Sequence, residues 1–287
     1  MISVVMPVLN SRAKIDRALR SLGDQTFRHF EVVLSDGGSV DGTVEYALQS
    51  LARQSIGAVA IVAYGSSIYG AINQAVRLAR GEWIYVMGSD DALYSHTIFE
   101  DVTRLLMTSR ADVVYGDSWF ELNGGFVYGG PFWLNRLAAL NICHQSIFYR
   151  STHLARLGMS YDEAIPIYAD WKYNLCLLSC SRFQHIPLLI SRFSCAGVSS
   201  TKNGLEFEEE RYRCILTAFG WRTFLMLSPD WLSRCVAQDP SLFNRIGLAV
   251  NRLIHKTFRM IFPSHQSLNL RHLVFVGSRP PLNLLPE

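Results

Sequence analysis

Trp83-Ile84-Tyr85-Val86-Met87-Gly88-Ser89-Asp90-Asp91 is the stretch on which the fold turns. Glu82 to Met87 is apolar, aromatic and β-branched, with Gly81 before it and Gly88 after it, the signature of a buried strand. Simple alternation would send the two carboxylates to opposite sides, but a turn starting at Gly88 can aim both into one cleft. Hard oxygen ligands at the carboxyl end of a parallel strand are suited to holding Mg²⁺ or Mn²⁺ against a phosphate. Taken alone, the pair reads more readily as a solvated loop with an Asp capping the next helix, and the rest of the chain reverses that reading.

Outward from that strand, residues 1 to about 120 alternate strand and helix. Strands are expected at Ile2–Val8, Phe30–Leu34 and Ala58–Ala63, with a short one at Asp112–Tyr115. Helices are expected at Ser11–Leu22, Gly42–Arg53 with Asp41 as its cap, Tyr69–Ala79 and Thr97–Thr108. The order predicts a doubly wound sheet with its ligand at the carboxyl ends of the strands. The first strand runs into Pro7-Val8-Leu9-Asn10 and the second into Ser35-Asp36-Gly37-Gly38-Ser39-Val40-Asp41-Gly42-Thr43. Glycines there let backbone approach a ligand, and Asp36 at the tip can accept from a ribose or base. Neither GxGxxG nor GxxxxGK[ST] occurs, which disfavours a dinucleotide fold or a P-loop.

Beyond residue 120 the pattern changes. Asn123-Gly124-Gly125 reads as a hairpin turn, Phe132–Leu140 as a helix and Gln145–Tyr149 as a strand preceded by His144. A short helix is expected at Ser151–Leu157. Asp170 opens an apolar helix to Leu178, Ile186–Ser194 is strand-like, and Leu205–Phe219 is a helix with an acidic start.

The 287 residues, 49% hydrophobic and 18% charged, make a chain able to bury a sizeable core. No apolar run reaches the ~18 residues of a membrane span. An opening strand without a basic leader predicts a cytoplasmic protein, and six Cys without a CxxC pair predict reduced thiols. The net charge of +3 is unevenly placed: residues 242–262 read as an amphipathic helix with Arg245, Arg252 and Arg259 seven apart. A basic stripe opposite an apolar one suits an anionic bilayer surface, or a helix packed with its basic face in water. Nucleic acid is disfavoured, because aromatics do not interleave with a basic groove.

Pro7-Val8-Leu9-Asn10, Gln25-Thr26-Phe27, Phe30-Glu31-Val32-Val33, the DGGSVDGT loop, Ser89-Asp90-Asp91, His144-Gln145 and Ala169-Asp170-Trp171 together give a chain that resembles family 2 glycosyltransferases over about residues 1–200. Among these it looks most like the bacterial enzymes that build O-antigen and exopolysaccharide. The resemblance implies an α/β GT-A fold, with a mostly parallel central sheet flanked by helices. It implies a catalytic domain at 1–200, divided into a nucleotide half (1–120) and an acceptor half (121–200), and a helical basic extension at 201–287.

The activity so implied is inverting, metal-dependent hexosyl-type transfer from a nucleoside-diphosphate sugar to a polyprenyl-diphosphate-linked or glycan acceptor, at the inner face of the cell membrane. Pro7 and Asn10 would line the nucleotide floor, Asp36 would hold base or ribose, and Asp90 the ribose or phosphate. Asp91 would ligate Mn²⁺ or Mg²⁺, and Asp170 would be the general base. His144 and Asp162 would touch acceptor or phosphate, with Glu163 beside Asp162 in the acceptor region. Relatives usually carry an acidic residue and a Lys where this chain has Gly70 and Gln74. Two rivals remain: a degenerate, membrane-associated scaffold, and a sugar nucleotidyltransferase, for which Asn10-Ser11-Arg12-Ala13-Lys14 has the basic residues but lacks the glycines.

Overall fold

The computed structural model describes residues 1–63, 65–194 and 205–224, all within one compact unit, Met1–Leu232. The basic stretch 242–262 lies outside the described residues. Strands β1 (Ile2–Val8), β2 (Phe30–Asp36), β3 (Gly57–Val62) and β4 (Trp83–Val86) alternate with helices α1 (Asp16–Gly23), α2 (Thr43–Arg53) and α3 (Ile68–Leu78). The two-residue β5 (Ala92–Leu93) and α4 (Ile98–Thr108) follow. Then come β6 (Val113–Phe120), β7 (Phe126–Tyr128), α5 (Leu134–Ala139), a 3-10 turn at His144–Ser146, β8 (Ile147–Arg150) and α6 (Ser151–Leu157). The described chain ends with α7 (Ala169–Leu178), β9 (Phe183–Phe193) and α8 (Leu205–Phe224), the last broken at Gly220 by a left-handed φ of 71°.

One nine-stranded sheet runs β3-β2-β1-β4-β8-β6-β9-β5, with β7 also paired to β6. The first four strands are parallel, as the alternation predicts. Beyond β4 the sheet turns mixed: β8 is antiparallel to both β4 and β6, β9 is parallel to β6, and β5 is antiparallel to β9. Only the first half is therefore all-parallel. Where a short strand over Asp112–Tyr115 is expected, β6 runs on to Phe120, and the Asn123-Gly124-Gly125 turn folds β7 back onto it.

Both faces of β1 and β2 are buried, and strand alternation sorts their side chains between two packed layers. Ile2, Val4, Met6 and Val8 of β1 join Val32 and Leu34 of β2 beneath Leu19 and Leu22 of α1, Leu51 of α2 and Phe99 of α4. Phe99 packs edge-on against Phe30 and Tyr85, at centroid distances of 5.1 and 5.8 Å. Each such fully buried side chain contributes roughly 1.5–3 kcal/mol of hydrophobic free energy. Glu31 near the start of β2 is a buried charge, and it is fully answered. It accepts from Ser3 Oγ at 2.6 Å, from the Arg80 backbone N–H at 2.7 Å and from the Arg80 guanidinium at 2.8 Å.

Helix α8 packs on α7 within the same compact unit, which therefore runs past residue 200. Phe207 lies against Trp171 at 5.3 Å and Tyr168 at 5.7 Å. No helix among the described residues is long and apolar enough to cross a membrane.

Candidate active site

The tips of β1, β2 and β4 lie side by side, and their loops are tied together. Asn10 adopts a left-handed φ of 45°. Its N–H donates to Ser39 Oγ at 2.9 Å, and its side-chain oxygen accepts from Val40 N–H at 3.0 Å. Ser39 in turn donates through its backbone and hydroxyl to the buried Asp36 carboxylate. Asp41 accepts from the N–H groups of Arg12 and Thr43 and so fastens the first loop to the start of α2, while the cap position itself is taken by Gly42 at a left-handed φ of 78° rather than by the expected Asp41. Ser89 Oγ donates to Ser11 Oγ at 3.0 Å, which joins the β4 turn to the same rim. Pro7, paired with Ser35 across β1 and β2, lines this rim half-buried. Pro7, Asn10, Asp36, Asp90 and Asp91 are thus brought to one edge of the parallel half.

The β4 turn aims both carboxylates the same way. A Cβ built on Gly88 would lie 2.5 Å from Asp91 Oδ2 and 3.3 Å from Asp90 Oδ1. Asp91 is only 2% exposed. Its Oδ1 accepts from Ser194 N–H at 3.2 Å, a residue delivered by the pairing of β5 with β9. Burial, with the like charge of Asp90 added, pushes the Asp91 carboxyl up to about 7. Asp90 is more open and lies 3.6 Å from Lys14 Nζ.

Hard oxygen donors in an apolar wall, one of them destabilised as an anion by its neighbour, fit a divalent cation. Among the described residues no group of three or more His, Cys, Asp or Glu is placed to hold a metal by itself. The protein would supply one or two carboxylates and a diphosphate the rest, the usual arrangement for Mg²⁺. Gly88→Ala tests the convergence. The fold should persist, and metal-dependent nucleotide affinity measured by titration calorimetry should drop about tenfold or more, since ~1.4 kcal/mol of misplacement is enough.

The second cluster is built from the antiparallel half. Tyr168 takes a left-handed φ of 70° immediately before α7, held by its ring packing on Trp171 and Phe207. That turn places Asp170 one residue inside the helix, where its carboxylate caps nothing. Instead Oδ1 accepts from Tyr69 Oη at 2.7 Å and Oδ2 from Asn141 Nδ2 at 2.6 Å. Behind Asn141, Asn174 Nδ2 donates to Asn141 Oδ1 at 3.0 Å, and Tyr149 Oη donates to Asn174 Oδ1 at 2.9 Å. Burial and the Asp170 charge hold the Tyr69 phenol far above its ordinary value, so it remains a donor.

His144 Nδ1 lies 3.9 Å from Asp170 Oδ2, and Nε2 meets Tyr161 Oη at 3.1 Å. Burial pulls the imidazole below its usual value, with Asp170 opposing. His144 and Asp170 are therefore assembled together, whereas Asp162 is drawn aside. Its carboxylate pairs with Lys172 Nζ at 2.8 Å, which holds it below the usual carboxylate range, and caps Ala164 N–H. The neighbouring Glu163 turns towards α3 instead, accepting from Asn73 Nδ2 at 2.9 Å. Its Oε2 lies 2.8 Å from where a Gly70 Cβ would be.

Tyr69, Asn141, Asn174, Tyr161 and Ser194 were not legible as site residues. Their sequence signals are those of a helix face, a loop and a strand end.

Four parallel strands with carboxylates at their tips, continued by a mixed sheet that carries a buried Asp at a helix start, make the GT-A architecture of glycosyltransferases. The sequence model described as Glycosyl transferase family 2 matches residues 3–157, and the chain belongs to that family. A PGL/p-HBAD biosynthesis glycosyltransferase of Mycobacterium bovis is 33% identical over 239 residues, covering 80% of this chain and 91% of the relative.

Among solved structures, S. aureus TarS 1-349 in complex with UDP-GlcNAc superposes with a TM-score of 0.63 at 20% identity, over 76% of this chain and 66% of that one. The chain thus spans about two thirds of that TarS segment. A mannosyltransferase from Pyrobaculum calidifontis in complex with GDP-Man and Mn²⁺ gives 0.54 at 15% identity, over 93% of this chain and 76% of that one. These two likenesses are ones of fold.

Proposed function

We propose that this chain is an inverting transferase that moves one hexose-type sugar from a nucleoside diphosphate onto a lipid-linked or oligosaccharide acceptor in cell-surface polysaccharide synthesis. The observation that carries the reading is Asp170: a buried carboxylate held by two neutral donors, Tyr69 Oη and Asn141 Nδ2, with His144 at its flank. Single displacement needs a carboxylate base on the face opposite the leaving group. Asp170 would take the acceptor hydroxyl proton, and Tyr69 and Asn141 would fix its direction. Pro7, Asn10 and Asp36 would seat the nucleoside.

Asp91, with Asp90 beside it, would hold Mn²⁺ or Mg²⁺, which when bound neutralises charge growing on the leaving diphosphate. Lys14 would be released from Asp90 or turned to phosphate. The relatives support a glycan-building role: one is named for PGL/p-HBAD biosynthesis, and another is a poly(ribitol-phosphate) N-acetylglucosaminyltransferase. Attachment to the inner membrane face through the basic stretch 242–262 belongs to this reading.

A thermal-shift screen of UDP, GDP, dTDP and CMP, each with and without Mn²⁺, tests it. Ligand that binds only the native state raises Tm by mass action. A metal-dependent rise with one nucleotide is expected, whereas no rise with any of them would replace the enzyme by a catalytically degenerate scaffold.

A further inference from the structure

The described cysteines are free, yet two of them meet. Cys176 on α7 and Cys214 on α8 place their sulfurs 3.1 Å apart. They lie 38 residues apart in sequence and belong to two helices that pack side by side. Nothing in the transfer chemistry uses them. Cys214 is buried, whereas Cys176 is partly open. Lys172, one turn before Cys176, adds positive charge. Hydrogen bonding from Cys214 and this charge draw the Cys176 thiol below its ordinary value, while the Cys214 thiol is raised. A thiol lowered in this way carries more of the nucleophilic thiolate.

We propose that Cys176 and Cys214 are an oxidative modification site: a thiol pair that closes to a disulfide on meeting a low-molecular-weight disulfide, and so staples α8 to α7. In the first step the Cys176 thiolate attacks one sulfur of oxidised glutathione. The glutathione S–S bond breaks, a mixed disulfide forms on Cys176, and one glutathione leaves and takes up a proton. Cys214 then gives its proton to water and attacks Cys176 Sγ, expelling the second glutathione. One S–S bond has formed in the protein and one has broken in glutathione disulfide; two protein thiols are oxidised and two glutathione thiols are made.

The staple falls where α8 holds the start of α7. Phe207 lies on Trp171, the Arg211 guanidinium sits 4.8 Å over the same ring, and Glu210 pairs with Lys172 at 2.5 Å. These contacts surround the turn that presents Asp170. A covalent link one to two turns further along fixes the helix pair and constrains the unfolded chain.

The test uses the full chain, treated either with oxidised glutathione or with a phosphine reductant, followed by non-reducing peptide mapping and Tm measurement. A Cys176–Cys214 cross-linked peptide is expected, with Tm raised by about 5–10 °C and restored by reductant. Cys180→Ala should leave the link intact, because exposed Cys180 is not the partner. Cys176→Ser and Cys214→Ser should each abolish it, while their reduced Tm stays close to wild type. A stable glutathione adduct without the cross-link, pairing of either cysteine with any other of the six, or a cross-link that leaves Tm unchanged or lowers it would overturn the assignment.

Discussion

Asp170→Asn should lower the rate of sugar transfer by about 10²- to 10⁴-fold while nucleotide affinity stays near wild type. The amide keeps the shape of the side chain and the bond from Tyr69, but it cannot accept a proton. Its NH₂ faces Asn141 Nδ2, and this conflict is relieved if the side-chain amides of Asn141 and Asn174 both turn over. Tyr149 can follow, because a hydroxyl accepts as readily as it donates. The fold should therefore lose little stability, on the order of 1 kcal/mol from rearranged hydrogen bonds. Single-turnover kinetics with donor and acceptor, compared with donor titration alone, separates the two effects. Unchanged transfer would move the base to another residue. Loss of donor binding together with transfer would show that Asp170 shapes the donor pocket.

Asp91→Asn has the opposite signature. It should abolish the Mn²⁺-dependent part of nucleotide binding and, in the absence of metal, raise Tm. Asp91 is 2% exposed beside another carboxylate, and the fold answers it with little beyond one backbone N–H bond from Ser194 and the turn at Gly88. Burying a charge on those terms is costly, and an amide of the same shape removes the cost. A gain of several degrees is expected, each kcal/mol being worth about 2–4 °C in a chain of this size. Nucleotide affinity unchanged with Mn²⁺ present would remove Asp91 from the metal. A fall in Tm would mean that the carboxylate stabilises the fold rather than burdening it.

The first half of the chain was nearly readable because its signals are local. Val4, Met6, Val32 and Leu34 alternate with side chains of the other face, and each strand is closed by glycine or asparagine before a periodic helix. The convergence of Asp90 and Asp91 followed from Gly88 alone. The second half was less readable because its contacts are long in sequence. The extension of β6 to Phe120 depends on β7 and β9 pairing on either side of it, and two-residue β5 has no periodicity to detect.

Asp162 and Asp170 show the same limit at the site. Both are aspartates near the start of α7, and only the positions of Lys172, Tyr69 and Asn141 decide that one becomes an ion pair and the other a buried acceptor. Asn141 gives no signal of its role, since its partners Asp170 and Asn174 lie about thirty residues on.

The line from Tyr149 through Asn174 and Asn141 to Asp170 has a direction. Every hydrogen in it points at the carboxylate. An amide N–H donates but does not hand its proton on, so the line polarises Asp170 from the inside without offering an exit. As the base of the proposed transfer, Asp170 would be recharged from its open side, by water entering as the glycosylated product withdraws, or through His144 at its flank. On that reading the interior would act as a one-way valve. In the proposed transfer, recovery of the base would then be tied to the departure of the product.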